Sequence, residues 1–213
     1  MKRFLMITPL QKDREDKKSG KMVSGLNASV YEAVGNSDLI YDTATRFPII
    51  PVINAYADKG ETIQVIAITP EYQYCERHFK ELEEELAELQ ARKGFICDSV
   101  TRISVAYAGD VASQIEIFHK LLPCFEDNDI LYGCMTYGNK PMPIAEMMAM
   151  QYAYRVLQNV SIDCLVYGEY DFATAKSRIY DITALVQLDE IVRVLADQKV
   201  VDPKGVIDHI LSL

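Results

Sequence analysis

Tryptophan is absent from this 213-residue chain, and histidine and cysteine are scarce, with three and five copies. The cysteines, Cys75, Cys97, Cys124, Cys134 and Cys164, show no C-x-x-C spacing and stand in or beside apolar segments. That arrangement argues against a disulfide framework or a zinc site and fits a reducing compartment. His78 and His119 fall on predicted helices beside charged residues and His209 lies near the C-terminus, so all three are expected at the surface; no H-E-x-x-H pair exists. A G-x-S-x-G nucleophile elbow is missing. So is a G-x-G-x-x-G after the first strand, which disfavours a standard dinucleotide oxidoreductase. No apolar run reaches the roughly 18 residues of a membrane helix, and Met1-Lys2-Arg3 leads straight into a short apolar strand with no cleavage-type region. The expectation is a cytoplasmic protein without a membrane partner, a metal or a cofactor.

Positive charge is in deficit as well. The net charge of -9 repels a nucleic-acid duplex, whose binding depends on Lys and Arg neutralising phosphates. A phosphate-bearing ligand must then be small and caught in a local positive site. The 49% hydrophobic and 25% charged content is that of a folded globular protein, and the length suits one α/β domain with a short appendage.

Along the chain, apolar runs of strand length alternate with segments of helical period. The runs Phe4 to Thr8, Thr62 to Thr69, Thr101 to Tyr107 and Asp129 to Thr136 read as buried strands, continuous and rich in β-branched residues as parallel strands are. Helices are predicted over 46–58, 76–93, 111–122 and 143–158. In the second, Phe79, Leu82, Leu86 and Leu89 share one face; in the third, Ile115, Phe118 and Leu122 are expected inward. Strands at Asp163 to Gly168 and Arg178 to Ile182 are joined by a loop holding Tyr170, Asp171 and Phe172, which predicts a late antiparallel hairpin at one edge. A helix over 184–196 and a turn with a short helix over 202–213 complete the chain. The fold class is Rossmann-like α/β, a mostly parallel sheet with helices on both faces. The charged stretch from Gln11 to Lys21, including Lys17 and Lys18, reads either as a solvated loop or as a flap over a ligand.

In open α/β sheets the ligand crevice lies beyond the strand C-termini, where strand order reverses. The most informative loop there is Met135-Thr136-Tyr137-Gly138-Asn139-Lys140-Pro141-Met142-Pro143. Its glycine permits a positive φ and close approach, its lysine supplies charge, and its prolines open a helix whose first N–H groups face the loop. Such a loop suits an anion. Acidic residues elsewhere, Asp42, Asp110, Asp181 and Glu169, read as loop and capping groups rather than paired catalytic carboxylates.

This loop resembles the signature of the CARF (CRISPR-associated Rossmann fold) family, a strand ending Asp-x-Thr-x-Gly-Thr-Lys-Pro-Met. Thr136, Gly138, Lys140, Pro141 and Met142 stand on matching positions; Cys134 replaces the frequent Asp and Asn139 the frequent Thr. The stretch Tyr41 to Ile68, with its aromatic-Pro-Ile-x-Pro and Lys-Gly-Glu punctuation, is similar to the family's helix and second strand. The Gly109-Asp110 loop and the hairpin ending Tyr180-Asp181-Ile182-Thr183 also agree. The resemblance covers roughly residues 1–185, which places the ligand-binding domain at 1–183 and leaves 184–213 as C-terminal helices, a possible connector to an effector domain.

The resemblance implies a homodimer that binds a cyclic oligoadenylate, most often of four or six units, on its two-fold axis. On that reading Lys140 and the N–H groups from Gly138 to Lys140 contact phosphate, with Thr136, Tyr137, Pro141 and Met142 in the same loop. Thr8, Pro9 and Leu10 would floor the adenine and ribose. Asn139, Gly109, Asp110 and Ser113 are candidates for base or ribose hydrogen bonds, and Thr45 and Arg46 for phosphate. Two functions stay open: a sensor that allosterically activates an antiviral effector, with no catalytic residue of its own, or a ring nuclease that slowly cuts the ligand in the same pocket. The predicted loops hold no histidine to act as a strong acid or base, which favours the sensor. The apolar helix Ile144 to Tyr154 reads as core, and its Met content also suits a shared dimer helix.

Overall fold

A computed structural model describes residues 1–16, 19–171, 174 and 176–212. Lys17, Lys18, Phe172 and Leu213, named above, lie outside the described residues.

The first strand, β1 (Lys2–Ile7), is buried along nearly its whole length because it is an inner strand of a seven-stranded sheet. Its side chains alternate as strand geometry requires. Phe4 and Met6 enter the core on one face; Leu5 and Ile7 enter the core on the other. β5 (Ile63–Pro70) pairs with β1 in parallel on one side, and β6 (Val100–Val105) follows it. On the other side of β1 lies β7 (Ile130–Cys134), also parallel, then β8 (Ser161–Asp171). The strand order therefore reverses between β1 and β7, and their C-terminal ends, Ile7 and Cys134, open onto one crevice.

β9 (Lys176–Asp181) pairs antiparallel with β8, the expected late hairpin. One further strand lies outside it: β4 (Tyr31–Val34) pairs in parallel with β9 and forms that edge of the sheet. The charged stretch is also built. β2 (Arg14–Glu15) and β3 (Met22–Val23) form a separate two-stranded antiparallel ribbon.

Helices cover both faces. α1 (Ile49–Tyr56) and α2 (Cys75–Lys93) pack with Phe4, Met6, Val65 and Cys134. α3 (Val111–Leu121) and α4 (Pro141–Val156) lie side by side over Leu5, Ile7, Ile66 and Leu131. Each such fully buried aliphatic side chain contributes about 1.5–3 kcal/mol to folding. The inward face of α3 differs from the sequence expectation. Asp110 caps the helix by accepting from the Ser113 N–H at 2.8 Å, and that fixed start turns Ser113, Ile117 and Leu121 inward. Ile115 is 61% exposed, while Phe118 packs only at the margin of the core. α5 (Ala184–Asp197) and α6 (Pro203–Leu211) contribute Val186 alone to the buried core. All five cysteines are free thiols, and no described helix is long and apolar enough to cross a membrane.

Candidate functional site: an amide nest at the strand switch point

β7 ends at Cys134, and Met135 still donates to the Val166 carbonyl of β8 at 2.9 Å, so the loop leaves the sheet only at Thr136. Thr136 is held by the neighbouring strand: its Oγ1 accepts from the Gly168 N–H at 2.8 Å. Tyr137 turns inward, and its phenol donates to the Arg46 carbonyl at 2.6 Å and is hydrogen-bonded to the phenol of Tyr31. Burial pushes the Tyr31 phenol up to about 12 and also raises Tyr137 well above the usual value, so both stay neutral.

Gly138 follows with φ +93°, a left-handed value that favours glycine. Space demands glycine too, since a Cβ would stand 3.0 Å from Ile7 Cγ2 at the end of β1. The chain then enters α4 at Lys140. Among the described residues, no hydrogen bond uses the N–H groups of Gly138, Asn139 or Lys140. Consecutive amides left unpaired beside a left-handed residue are donors of the kind from which anion-binding concavities are built. Lys140 adds its ammonium, exposed and without an ion-pair partner among the described residues.

The helix start contributes less than the sequence suggests. Pro141 and Pro143 have no N–H, and the Met142 N–H is spent on the Asn139 carbonyl at 3.0 Å. The donors to an anion are therefore those of residues 138–140. Pro141 is exposed, whereas Met142 is buried and anchors the helix to the sheet. Asn139 is half-buried, with its Oδ1 enclosed and lacking a hydrogen-bond partner.

The other sequence-predicted residues fall into three groups. Thr8 and Pro9 are buried beneath the crevice. Thr8 is fixed by its hydroxyl to Thr69 at 3.0 Å and by its N–H to the Ile68 carbonyl, so it supports the floor, and Leu10 is the partly exposed member. Thr45 and Arg46 are already engaged. Thr45 bonds to Glu85, and the Arg46 guanidinium pairs with Glu85 at 2.8 Å and approaches Glu81 at 3.9 Å. Arg46 therefore serves as a strut between the entry to α1 and α2. Gly109 and Asp110 lie in the exposed loop after β6. Asp110 accepts from both the N–H and the hydroxyl of Ser113, which holds its carboxyl below the usual range.

His78 overturns its expectation. It is fully buried, because Pro9, Gln11, Asp13 and Ser24 are all bonded to the first turns of α2. Its Nε2 meets the Gln11 carbonyl at 2.9 Å and its Nδ1 meets Glu81 at 3.0 Å. Ser24 donates to the same Glu81 carboxylate at 3.0 Å, and Asp13 pairs with Arg77 at 2.9 Å. Gln11, Asp13 and Ser24 are thus fastened close together on α2. The signal was present in the spacing, since Cys75, His78, Leu82, Leu86 and Leu89 lie on one helical face.

Beside Gln11 and Gly25 lies a cavity of about 240 Å³, bounded by Leu26 and Asn27, by Tyr31 and Tyr137, and by Glu169 and Tyr170 of β8. Gly25 and Gly168 allow its walls to close: a Cβ on the first would meet the Lys12 carbonyl at 2.0 Å, and on the second Pro48 Cγ at 2.3 Å. Apart from Thr136 and Tyr137, its lining was not singled out as a site in the sequence. No group of three or more His, Cys, Asp or Glu side chains among the described residues could hold a metal.

Two neighbouring helices, one of them opening directly from the nest loop, carry exposed apolar stripes. Val111 and Ile115 lie one turn apart on α3, and Ile144 and Met148 one turn apart on α4; Tyr107, two residues beyond the end of β6, is also exposed. Monomeric proteins rarely leave large contiguous apolar surface in water. Neither a family model nor a curated protein matches the chain.

Proposed function

We propose that the chain is a sensor domain for a cyclic oligoadenylate, cyclic tetra-adenylate first and cyclic hexa-adenylate second, bound across a homodimer two-fold axis and switching an antiviral effector. The observation that carries this reading is the nest of three unpaired N–H groups at residues 138–140, joined to the free ammonium of Lys140 at the strand switch point. In a protein of net charge -9 it is a local exception that selects a small anion over a duplex. Each charge-assisted contact to phosphate is worth about 1.5–3 kcal/mol.

A single nest has donors for only part of a ring of phosphates. Two copies related by a two-fold axis present twice the donors in matching symmetry. The apolar stripes on α3 and α4 supply a surface that such a pairing would cover. Signal transmission would run through Tyr137, whose phenol holds the Arg46 carbonyl, and through Arg46 to Glu85 on α2.

The ring-nuclease alternative uses the same pocket. None of the three histidines belongs to the nest loop, and His78 is enclosed between Gln11 and Glu81, so the sensor reading is preferred. Incubation with cyclic tetra-adenylate, followed by chromatography, separates the two: intact ring after hours supports the sensor, and linear adenylates support the nuclease. Light scattering in the same buffer reads the oligomeric state, for which a dimer is expected.

A further inference from the structure

We propose that His78 is a charged clasp, a buried imidazolium that donates from both ring nitrogens and whose deprotonation frees Gln11 from α2.

Donor counting carries the step. Nε2 lies 2.9 Å from the Gln11 carbonyl and Nδ1 lies 3.0 Å from Glu81 Oε2. A backbone carbonyl and a carboxylate present only lone pairs, and a neutral imidazole has a single N–H. Either neutral tautomer therefore sets a ring lone pair against an oxygen lone pair, at a position where the ring is fully enclosed. Only the imidazolium satisfies both contacts.

Glu81 is held in its accepting form from two other directions. The Ser24 hydroxyl takes the Leu26 N–H at 3.2 Å, so its one proton goes to Glu81 Oε2 at 3.0 Å. The Arg46 guanidinium, from the entry of α1, stands 3.9 Å from Oε1. A cation beside one oxygen and a hydroxyl proton on the other favour the carboxylate over the acid. The nearby cations are spent elsewhere: Arg77 on Asp13, Lys80 on Glu76, and Arg46 on Glu85 and Glu81, so none donates to the ring. Glu84 borders the open surface beside Asp13 and Glu81 and adds a further negative charge.

The clasp is whole while His78 carries two protons. As pH rises through the range in which imidazole changes charge, about 5–8, one bond is lost and two lone pairs are left opposed. The Asp13–Arg77 and Ser24–Glu81 contacts remain as tethers, so the opening is local to Gln11. Gln11 is also a wall of the cavity that Thr136 and Tyr137 of the nest loop line. That wall is thus held in acid and loosened toward alkali, whatever ligand the crevice takes.

Two measurements test the clasp. In the full chain carrying His119→Gln and His209→Gln, both at exposed positions, His78 is the one histidine left. Ring nitrogen-15 resonances at about pH 6 should show both nitrogens protonated, and titration to about pH 9 should show one proton lost. Lysine-specific cleavage after the exposed Lys12 is read in parallel, as a ratio to cleavage of a free peptide with the same site, which removes the protease's own pH dependence. The ratio should rise about tenfold from pH 6 to pH 9, the size expected for one lost bond. Glu81→Gln should abolish the rise, because its amide donates to a neutral Nδ1 while the Nε2 proton keeps the Gln11 carbonyl. The buried Glu146 is unchanged in that variant, so any pH dependence from it appears equally in both proteins. A single neutral tautomer at about pH 6, a ratio flat with pH in the parent, or an undiminished rise in a folded Glu81→Gln protein each overturns the proposal. Where Glu81→Gln does not fold by circular dichroism, the resonances and the parent profile decide it.

Discussion

The phenol of Tyr137 donates to the carbonyl of Arg46 at 2.6 Å, joining the loop after β7 to the entry of α1 across ninety-one sequence positions. The bond is enclosed, and it fixes the residue immediately before the nest. Tyr137→Phe keeps the ring in place and strands a buried carbonyl. A loss of about 1–3 kcal/mol in urea unfolding is expected, with an unchanged m-value. Stability equal to the parent protein would mean that water replaces the phenol and the loop is held by other contacts.

Gly138 combines a φ of +93° with a Cβ position 3.0 Å from Ile7 Cγ2 and 3.2 Å from Met142 Cβ. Gly138→Ala is expected to cost about 1–2 kcal/mol from backbone conformation, and more if Ile7 cannot yield. It should also weaken anion binding by moving the amides of residues 138–140. Calorimetric affinity measured beside urea stability reads both effects on one protein.

Glu146 is fully buried on α4, and neither carboxyl oxygen has a hydrogen-bond partner. Burial raises its pKa well above the ordinary value of 4.5, so the group is held as the neutral acid. A folded-state pKa above the unfolded one means that its contribution is fully present below about pH 4.5. That contribution falls as pH rises from there to the folded pKa, because the unfolded chain releases the proton more readily. Glu146→Met, similar in length and without a polar group to bury, should gain about 1–3 kcal/mol at pH 8. The gain should shrink toward pH 4, as read by thermal unfolding across that range. A pH-independent difference would show that the carboxyl does not ionise on unfolding.

His78 is the clasp of the charged segment, meeting the Gln11 carbonyl and Glu81. In His78→Ala, loss of these bonds should lower the local opening free energy by about 1–3 kcal/mol, raising the rate of lysine-specific cleavage at the exposed Lys12 and Lys21 roughly tenfold or more. Cleavage at the parent rate would show that the Arg77–Asp13 and Ser24–Glu81 contacts suffice.

What the sequence revealed and what it concealed divide along physical lines. Strands buried on both faces, such as Phe4 to Ile7 and Val65 to Ile68, must be continuous apolar runs, and they are readable for that reason. β4 is four residues at a sheet edge with alternating exposure, and β2 and β3 are two residues each amid charge, so none carries such a run. The Lys140 loop was legible because its glycine, lysine and prolines act locally. The burial of His78 depends on Gln11, sixty-seven positions away, and the engagement of Arg46 on Glu85, thirty-nine away. The cavity is assembled from β4, β8, β9 and the segment before β4, and no local pattern encodes such a meeting.

Calorimetric titration with rings of three, four and six adenylates, run on the parent protein and on Lys140→Ala, tests the nest most directly. The account predicts submicromolar binding of one ring per two chains for one of the three sizes, weakened at least tenfold in the variant, in line with loss of about 1.5–3 kcal/mol per charge-assisted contact. Absence of binding by every ring, or equal affinity in parent and variant, would contradict it.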